Sequence, residues 1–321
     1  MAGAVASGSP RLCYRGRNVR FAHLHSHTEY SLLDGPNKIR EYVSRVKELG
    51  MDSCAITDHG VMYGVIEFYE ECLAQGIRPI LGCEVYVAPG SRFDREMSKG
   101  DDRYYHLILL AENDRGYANL RKIVSAGFID GYYYKPRVDR EILEKYHEGI
   151  IASSACLAGE VARDLVRGFY EEAKEAAQSY SRIFGEGNFF LELQDHGIPE
   201  QKQVNAALLR MSRETGIGLI ATNDIHYTYE EDAAPHDILL CIQTGKKLAD
   251  EDRMRYEGGQ YYVKSPEQMA ALFPYAQEAL ENTQKIAERC CVTIEFGRYK
   301  LPRFHVPGGI SAWDYLNSQC W

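Results

Sequence analysis

Three histidines alternate within five residues near the start of the chain, at His23, His25 and His27. Side chains at positions i and i+2 of a β-strand project from the same face, so His25 and His27 would lie about 7 Å apart along a strand. Two neutral imidazoles that converge on one point form a metal chelate. These spacings predict a metal site where the first strand ends. His23 lies deeper on the same face, where it binds metal, supports the ligands or packs.

Side chains that bind metals also stand beside later apolar runs. They are His59, Glu84, His106, Cys156, Asp224 and His226. Asp224 and His226 repeat the i, i+2 spacing, and a bound cation would offset the cost of burying Glu84 in its apolar run. Taken alone, Cys156 is more typical of inert packing, and Asp34, in an Asp-Gly dipeptide, of a turn. The recurrence of these residue types predicts an enzyme of metal-bound phosphate chemistry.

The composition limits the class of protein. The net charge of −9 over 321 residues argues against binding nucleic acid by bulk electrostatics. Three divalent cations would nevertheless leave the candidate cluster with a charge of about +2, which attracts phosphate. The nine cysteines are scattered and form no CxxC pair, which predicts reduced thiols and a cytoplasmic location. No run approaches the ~18 apolar residues that a membrane span requires.

The predicted secondary-structure elements that position these side chains alternate between strands and helices. Apolar runs that predict strands lie at residues 20–25, 53–57, 78–87, 107–111, 149–153, 188–193 and 218–222. Amphipathic stretches that predict helices lie between them, at residues 38–49, 61–75, 116–126, 158–167, 170–184 and 200–215. This order predicts an α/β fold of βα repeats with a parallel sheet. Because ligands come from nearly every strand, a closed barrel is favoured over an open sheet. His106 is the exception, since it opens its strand.

The last part of the chain reads as helices and a linker. Ser265 as N-cap, Pro266 at the first helical position and Gln268 at N3 predict a helix start. Helices are expected to about residue 273 and over 276–291, and another begins at Ser311. We predict an N-terminal extension at 1–20, a barrel domain at 21–296, and a linker with the start of a further region at 297–321. The chain reads as a fragment of a longer protein.

Two basic clusters are candidates for binding substrate. The segment from Tyr132 to Arg137 interleaves aromatic side chains with Lys135 and Arg137, which predicts stacking of bases and contacts to phosphates. A structural tyrosine cluster is the alternative. Arg92 lies in a polar loop that would line the path of the substrate, and a solvated loop is the alternative interpretation.

An ordered series of motifs resembles a known family. HxH, SLLDG, AITDHG, GCEVYV, HLILLA, SSACLAGE and ATNDIHY are similar to the polymerase-and-histidinol-phosphatase (PHP) domain, and more closely to that of bacterial DNA polymerase III alpha subunits, over about residues 21–302. The resemblance implies a distorted (β/α)7 TIM-like barrel with up to three metals. It implies a first metal site of His25, His27, Glu84 and Asp224, a second of Glu84, His106 and Cys156, and a third of Asp34, His59 and His226.

The leading functional hypothesis is metal-dependent hydrolysis of a phosphoester, namely 3′→5′ exonuclease proofreading on DNA. The mixed ligand set favours Zn²⁺ or Mn²⁺, with Mg²⁺ or Fe²⁺ as alternatives, and Asp58 or His23 would move protons. The expected partners are the primer 3′ end, the rest of the alpha chain and replisome subunits, with no membrane and no polymerase active site in this fragment. The alternatives are a catalytically silent structural module and a small-molecule phosphatase or pyrophosphatase.

Overall fold

The computed structural model describes residues 20–96, 102–299 and 301–321, so the predicted extension at 1–20 lies almost entirely outside it. The strands are β1 (Ser53–Ile56), β2 (Arg78–Val87), β3 (Tyr105–Ala111), β4 (Tyr132–Tyr133), β5 (Lys135–Val138), β6 (Ile150–Ser153), β7 (Phe189–Leu193) and β8 (Gly218–Ala221). Six of them follow the predicted apolar runs. The hairpin of β4 and β5 was not predicted.

The sheet closes on itself through the histidine-rich segment at residues 22–27. The strands run in the order β1, β2, β3, β6, β7, β8. His23 forms a parallel bridge with Cys54 of β1, and Ser26 forms one with Ile225, just beyond β8. The backbone N–H of His27 donates to the Ile225 carbonyl at 2.7 Å. The segment therefore acts as the seventh member of the predicted distorted barrel.

The direction of β3 differs from the prediction. β3 pairs antiparallel with both neighbours, β2 and β6, so the sheet is not all parallel. The first residues of β3 therefore lie at the same rim as the last residues of the other strands. His106, the second residue of β3, pairs with Tyr86 near the end of β2. This reversal explains how a side chain that opens its strand joins ligands that follow theirs.

Eleven helices lie in the described residues. They are α1 (Ile39–Glu48), α2 (Val65–Gln75), α3 (Asp114–Ile129), α4 (Arg140–Lys145), α5 (Glu160–Val166), α6 (Tyr170–Phe184), α7 (Pro199–Thr215), α8 (Ala233–Thr244), α9 (Pro266–Leu272), α10 (Gln277–Arg289) and α11 (Ala312–Cys320). The predicted capping box of Ser265 and Gln268 is confirmed. The short α4, which Asp139 caps, and α8 were not predicted. Among these helices, none has the length and apolar content needed to cross a lipid bilayer.

The interior below the ligand-bearing rim is apolar. Ile80 shares the strand face of Glu84, and Ile108 shares that of His106, because side chains two or four positions apart project together. Both isoleucines are almost fully buried and belong to one cluster with Ile286 of α10. The eight cysteines of the described residues are free. The polar rim therefore lies above a layer of buried apolar side chains.

Candidate metal centre

All nine predicted ligands meet at one rim of the barrel. The set comprises His25, His27, Asp34, His59, Glu84, His106, Cys156, Asp224 and His226, and each has a ligand atom within 3.9 Å of another member. Most are buried, whereas His59, His106 and Cys156 are partly exposed. The cluster is therefore reached from one side of the barrel.

The carboxylate of Glu84 lies at the middle of the cluster. One oxygen, Oε1, is 3.5 Å from His25 Nε2 and 2.8 Å from His106 Nδ1. The other, Oε2, is 3.3 Å from His27 Nε2 and 2.6 Å from His59 Nδ1. The side chain is fully buried. With both oxygens directed at imidazoles, Glu84 is placed to bridge two cations.

Asp224 completes the group around the alternating histidines. Its Oδ1 atom is 3.0 Å from His25 Nε2 and 3.2 Å from His27 Nε2. The backbone of Asp224 has φ +45°, a left-handed conformation that is uncommon for a residue other than glycine. The strained turn at the end of β8 thus directs this carboxylate towards the histidine-rich segment at residues 22–27.

Two smaller groups flank the central carboxylate. Asp34 Oδ2 lies 2.7 Å from His59 Nε2 and 3.2 Å from His226 Nε2. The Cys156 sulfur lies 3.7 Å from His106 Nδ1. The residues of the second and third sites that the resemblance implies therefore lie in contact, and their role as metal ligands stays a prediction.

Unpaired buried atoms show that the donor set suits cations. His25 Nε2, His27 Nε2, His59 Nδ1, Glu84 Oε2 and Asp224 Oδ1 are buried and make close ion-pair contacts with one another, but none of them has a hydrogen bond of acceptable geometry. A buried polar atom without a hydrogen bond costs about 1–3 kcal/mol, and a cation bound between these five atoms would remove that cost. Among the nine clustered residues, three groups of three hold their ligand atoms within 4.8 Å of one another. Nitrogen, carboxylate and thiol donors at this spacing fit divalent metals.

The electrostatics of the cluster balance buried carboxylates against imidazoles. Burial alone would raise the pKa of Glu84, but His106, His59 and His25 outweigh it and hold that pKa well below its usual value. Burial would lower the pKa of His59, but Glu84 and Asp34 outweigh it and raise the pKa to about 10. The buried carboxylates are therefore stable only beside positive charge, which is supplied either by protons on the imidazoles or by metal ions.

Glu192 supports the cluster and was missed by the sequence interpretation. It is buried in β7, and its Oε1 atom lies 2.7 Å from His25 Nδ1. Gln194 and Thr222 donate to the same oxygen, and Ser153 donates to the other. A carboxylate on the outer nitrogen of a metal-binding histidine fixes the ring and its tautomer. The available signal was an acidic residue in an apolar strand, the same signal that selected Glu84.

A second supporting chain holds the backbone before Asp224. His196 Nε2–H donates to the Asn223 carbonyl at 2.9 Å, and Gln201 Nε2–H donates to His196 Nδ1 at 2.8 Å. Both ring nitrogens are thus satisfied only when the imidazole is neutral. Burial lowers the pKa of His196 to about 4, although the bond to Asn223 opposes the effect.

The neutral state of His196 predicts a pH dependence of stability. The folded pKa is about 4 and the ordinary value is 6.5, so the unfolded chain binds more protons between these values. His196 should therefore destabilise the folded state progressively as pH falls from about 6.5 to 4, by up to about 3 kcal/mol. Urea unfolding from pH 7 to 4.5 should give a flatter pH dependence for His196→Gln than for the unsubstituted protein. Parallel curves would contradict the assignment.

Backbone strain is concentrated around the site. The residues other than glycine with positive φ in the described part of the chain are Leu33, Tyr134, Ala155 and Asp224. Leu33 precedes the predicted ligand Asp34, and Ala155 precedes the predicted ligand Cys156. Each such residue costs roughly 1–3 kcal/mol and persists where surrounding structure holds it. The fold therefore stores strain where it positions ligands.

The two predicted proton-transfer residues lie outside the ligand cluster. Asp58 accepts hydrogen bonds from the Thr28 N–H, the Thr28 hydroxyl and the Ser31 hydroxyl. His23 is fully buried, and its Nε2–H donates to the Lys264 carbonyl at 2.9 Å. Burial lowers the pKa of His23 to about 4. In the structure Asp58 braces the 28–34 loop and His23 is a packed residue, and their role in moving protons stays a prediction.

The predicted substrate-binding cations separate into two kinds. Arg92 is buried and pairs with Asp139 at 3.0 Å, and the buried Arg137 guanidinium donates to backbone carbonyls that include Gly131 O. Neither arginine has the free position that the sequence interpretation required, because protein groups occupy both. Lys135 is different, since its Nζ lies 5.3 Å from the Tyr86 ring centre and its side chain lines the cavity above the cluster.

This cavity, the mouth cavity, connects the cluster to solvent. Its volume is about 520 Å³, and Asp34, His59 and His106 lie on its floor. Tyr256 also lines it and places its hydroxyl 3.2 Å from His226 Nε2. A cavity of this size above partly exposed ligands admits a small or chain-end substrate.

The fold and site define the class of protein. Residues 23–196 match the family model described as the PHP domain, which is more than half of the chain. The chain belongs to the PHP domain family.

Particular relatives are DNA polymerase III alpha subunits. The chain is 46% identical over 297 residues to the DNA polymerase III subunit alpha of Treponema pallidum, a match that covers 92% of this chain and 25% of the relative. It is 43% identical over 310 residues to that of Thermus aquaticus, covering 94% of this chain and 25% of the relative. The chain thus spans about a quarter of the length of these relatives. The solved structure of an amidohydrolase from Chromobacterium violaceum with bound sulfate is 14% identical, with a TM-score of 0.44, and covers 64% of this chain and 87% of that one.

Proposed function

We propose that this domain is a metal-dependent phosphodiesterase that removes nucleotides from the 3′ end of DNA, as a proofreading activity of a DNA polymerase III alpha subunit. The observation that carries the proposal is the set of five buried donor atoms that lack hydrogen bonds and face one another below an open cavity. Such a set is costly to the fold and matches the needs of a multi-metal centre for phosphoryl transfer.

The chain's residues would hold up to three divalent ions, Zn²⁺ or Mn²⁺, in the three groups described above. When bound, such ions activate a water and neutralise charge that develops on phosphate oxygens. The thiol of Cys156 favours zinc in its group.

The chain's own residues bind and orient the substrate. In the reaction, a water oxygen bonds to phosphorus and the bond from phosphorus to the 3′ oxygen breaks, giving a nucleoside 5′-monophosphate and a new 3′-hydroxyl. The Lys135 ammonium neutralises a phosphate in the mouth cavity. Burial raises the pKa of Tyr256 well above its usual value, so its hydroxyl stays protonated and donates to a phosphate oxygen. The Glu192 carboxylate holds the His25 ring in place.

The partners follow from the matched length. Because the relatives are about four times longer, we propose that the domain binds the remainder of an alpha chain and works in the cytoplasm among replisome subunits. The 297–321 segment would then be a linker, and α11 within it carries exposed apolar residues such as Trp313.

Metal removal tests the proposal. Protein stripped with a chelator should not shorten a 5′-labelled single-stranded oligonucleotide, and reloading with Zn²⁺ or Mn²⁺ should restore stepwise loss from the 3′ end. Metal-replete protein that releases no nucleotide would count decisively against the activity. A lower melting temperature after chelation, with no hydrolysis of any phosphoester, would identify a structural module. Faster turnover of 4-nitrophenyl phosphate than of DNA would identify a small-molecule phosphatase.

A further inference from the structure

Exposed tyrosines surround the opening of the mouth cavity. Tyr63, Tyr132 and Tyr134, here called the aromatic rim, line the cavity and are 59%, 56% and 60% exposed. Exposed single aromatic residues are ordinary, but these three border one cavity above a candidate metal centre and remain more than half exposed, although Tyr132 and Tyr134 each have one aromatic neighbour. The three tyrosine rings present flat, apolar faces to a ligand that enters the mouth cavity.

The position of Tyr134 is maintained at a conformational cost. This residue is the single link between β4 and β5, and its φ is +62°. Glycine or asparagine would adopt this conformation more easily. The Arg103 guanidinium lies 4.4 Å from the Tyr134 ring centre. A bulky ring held in a strained turn, beside a cation and at the entrance of a site, indicates a binding role.

We propose that the aromatic rim is a stacking platform for unpaired bases, so that the site takes single-stranded or frayed 3′ ends and discriminates against paired ends. The inference rests on the proposed function and names its substrate class. An interior base of a duplex has both faces covered by its neighbours, and a paired terminal base offers only its outer face and stays joined to its partner strand, whereas an unpaired base can separate from the duplex and stack on a tyrosine. Opening a mismatched end costs less than opening a paired one, and stacking on the rim therefore selects mispaired termini.

Rim variants provide the test. The ratio of kcat/KM for a single-stranded oligonucleotide to kcat/KM for bis(4-nitrophenyl) phosphate, a small diester, should fall five- to 150-fold in Tyr63→Ala and in Tyr134→Gly. This range corresponds to about 1–3 kcal/mol of stacking per base. Tyr134→Gly removes the ring while relieving the strained φ, so it should fold normally. Tyr299→Ala, which changes a 92% exposed tyrosine that does not line the cavity, is the matched control and should leave the ratio unchanged.

A second arm compares ends. The unsubstituted protein should digest a mispaired primer end faster than a paired end, and this preference should shrink in the rim variants. An unchanged substrate ratio in both variants would overturn the stacking role. If metal-loaded protein hydrolyses neither the small diester nor DNA, the proposed function itself fails, which is a distinguishable result. If the protein hydrolyses the small diester but the rim variants have the same substrate ratio as Tyr299→Ala, the stacking role is refuted while the proposed function stands.

Discussion

The Glu84→Gln protein is expected to lose both bound metal and phosphodiesterase activity. The two oxygens of Glu84 lie between four imidazoles, those of His25, His27, His59 and His106. Glutamine keeps the volume but removes the negative charge and directs an N–H group at atoms that should bind a cation. The loss of several kcal/mol of charge stabilisation predicts a fall in kcat/KM of at least about 100-fold. Metal content measured by mass spectrometry should fall in parallel.

Glu281→Gln is the matched control for this substitution. Glu281 is exposed on α10, so the same chemical change there should leave metal content and activity intact. Circular dichroism of both variants would show that the barrel is retained. Full metal occupancy with undiminished turnover in Glu84→Gln would mean that this carboxylate does not bridge cations.

The side chains that meet in the cluster were predictable because their signals are local. The spacing of His25 and His27 alone predicts that their side chains point in the same direction. The carboxylate of Glu84 within an apolar run predicts that a positive charge lies nearby. The closed barrel followed from the number of strands that end in such residues. These inferences use only the period of a strand and the cost of burying charge, which neighbouring residues determine.

The failures involve partners that are distant in sequence. Nothing around His106 encodes the reversal of β3, because strand direction depends on the connection and not on the strand's own pattern. Arg92 and Arg137 carry the charge that substrate phosphates require, yet Arg92 finds a partner in Asp139, 47 residues away. The local sequence around a basic residue in a loop is the same whether its side chain faces substrate or a structural carboxylate.

Glu192 also changes the charge balance of the site. Together with Asp34, Glu84, Asp224 and a Cys156 thiolate it makes five negative groups, so three divalent cations would leave about +1 rather than +2. The site remains attractive to phosphate but less strongly than the ligands alone suggest. We therefore expect the negative charge of Glu192 to increase the affinity of the site for metal ions.

Removing only that charge, by Glu192→Gln, should weaken metal binding by about 10–100-fold and lower activity at limiting metal. The glutamine oxygen can still accept from His25 Nδ1–H, Gln194 and Thr222, and its N–H can donate to the Ser153 hydroxyl. The free energy of unfolding of the metal-free protein should therefore change by only about 1 kcal/mol. Titration with Zn²⁺ against a competing chelator gives the affinity, and saturating metal should restore most of the turnover.

Glu192→Leu separates charge from hydrogen bonding. Leucine leaves the donors of His25, Gln194, Thr222 and Ser153 without an acceptor, so the folded state should lose about 2–5 kcal/mol in addition to metal affinity. Glutamine and leucine should thus differ strongly in stability, and leucine should also lower the metal affinity of the first site further, because it no longer holds the His25 ring. If Glu192→Gln binds metal as tightly as the unsubstituted protein, the carboxylate serves only to fill hydrogen bonds, and the His25 imidazole binds its cation without help from the added charge.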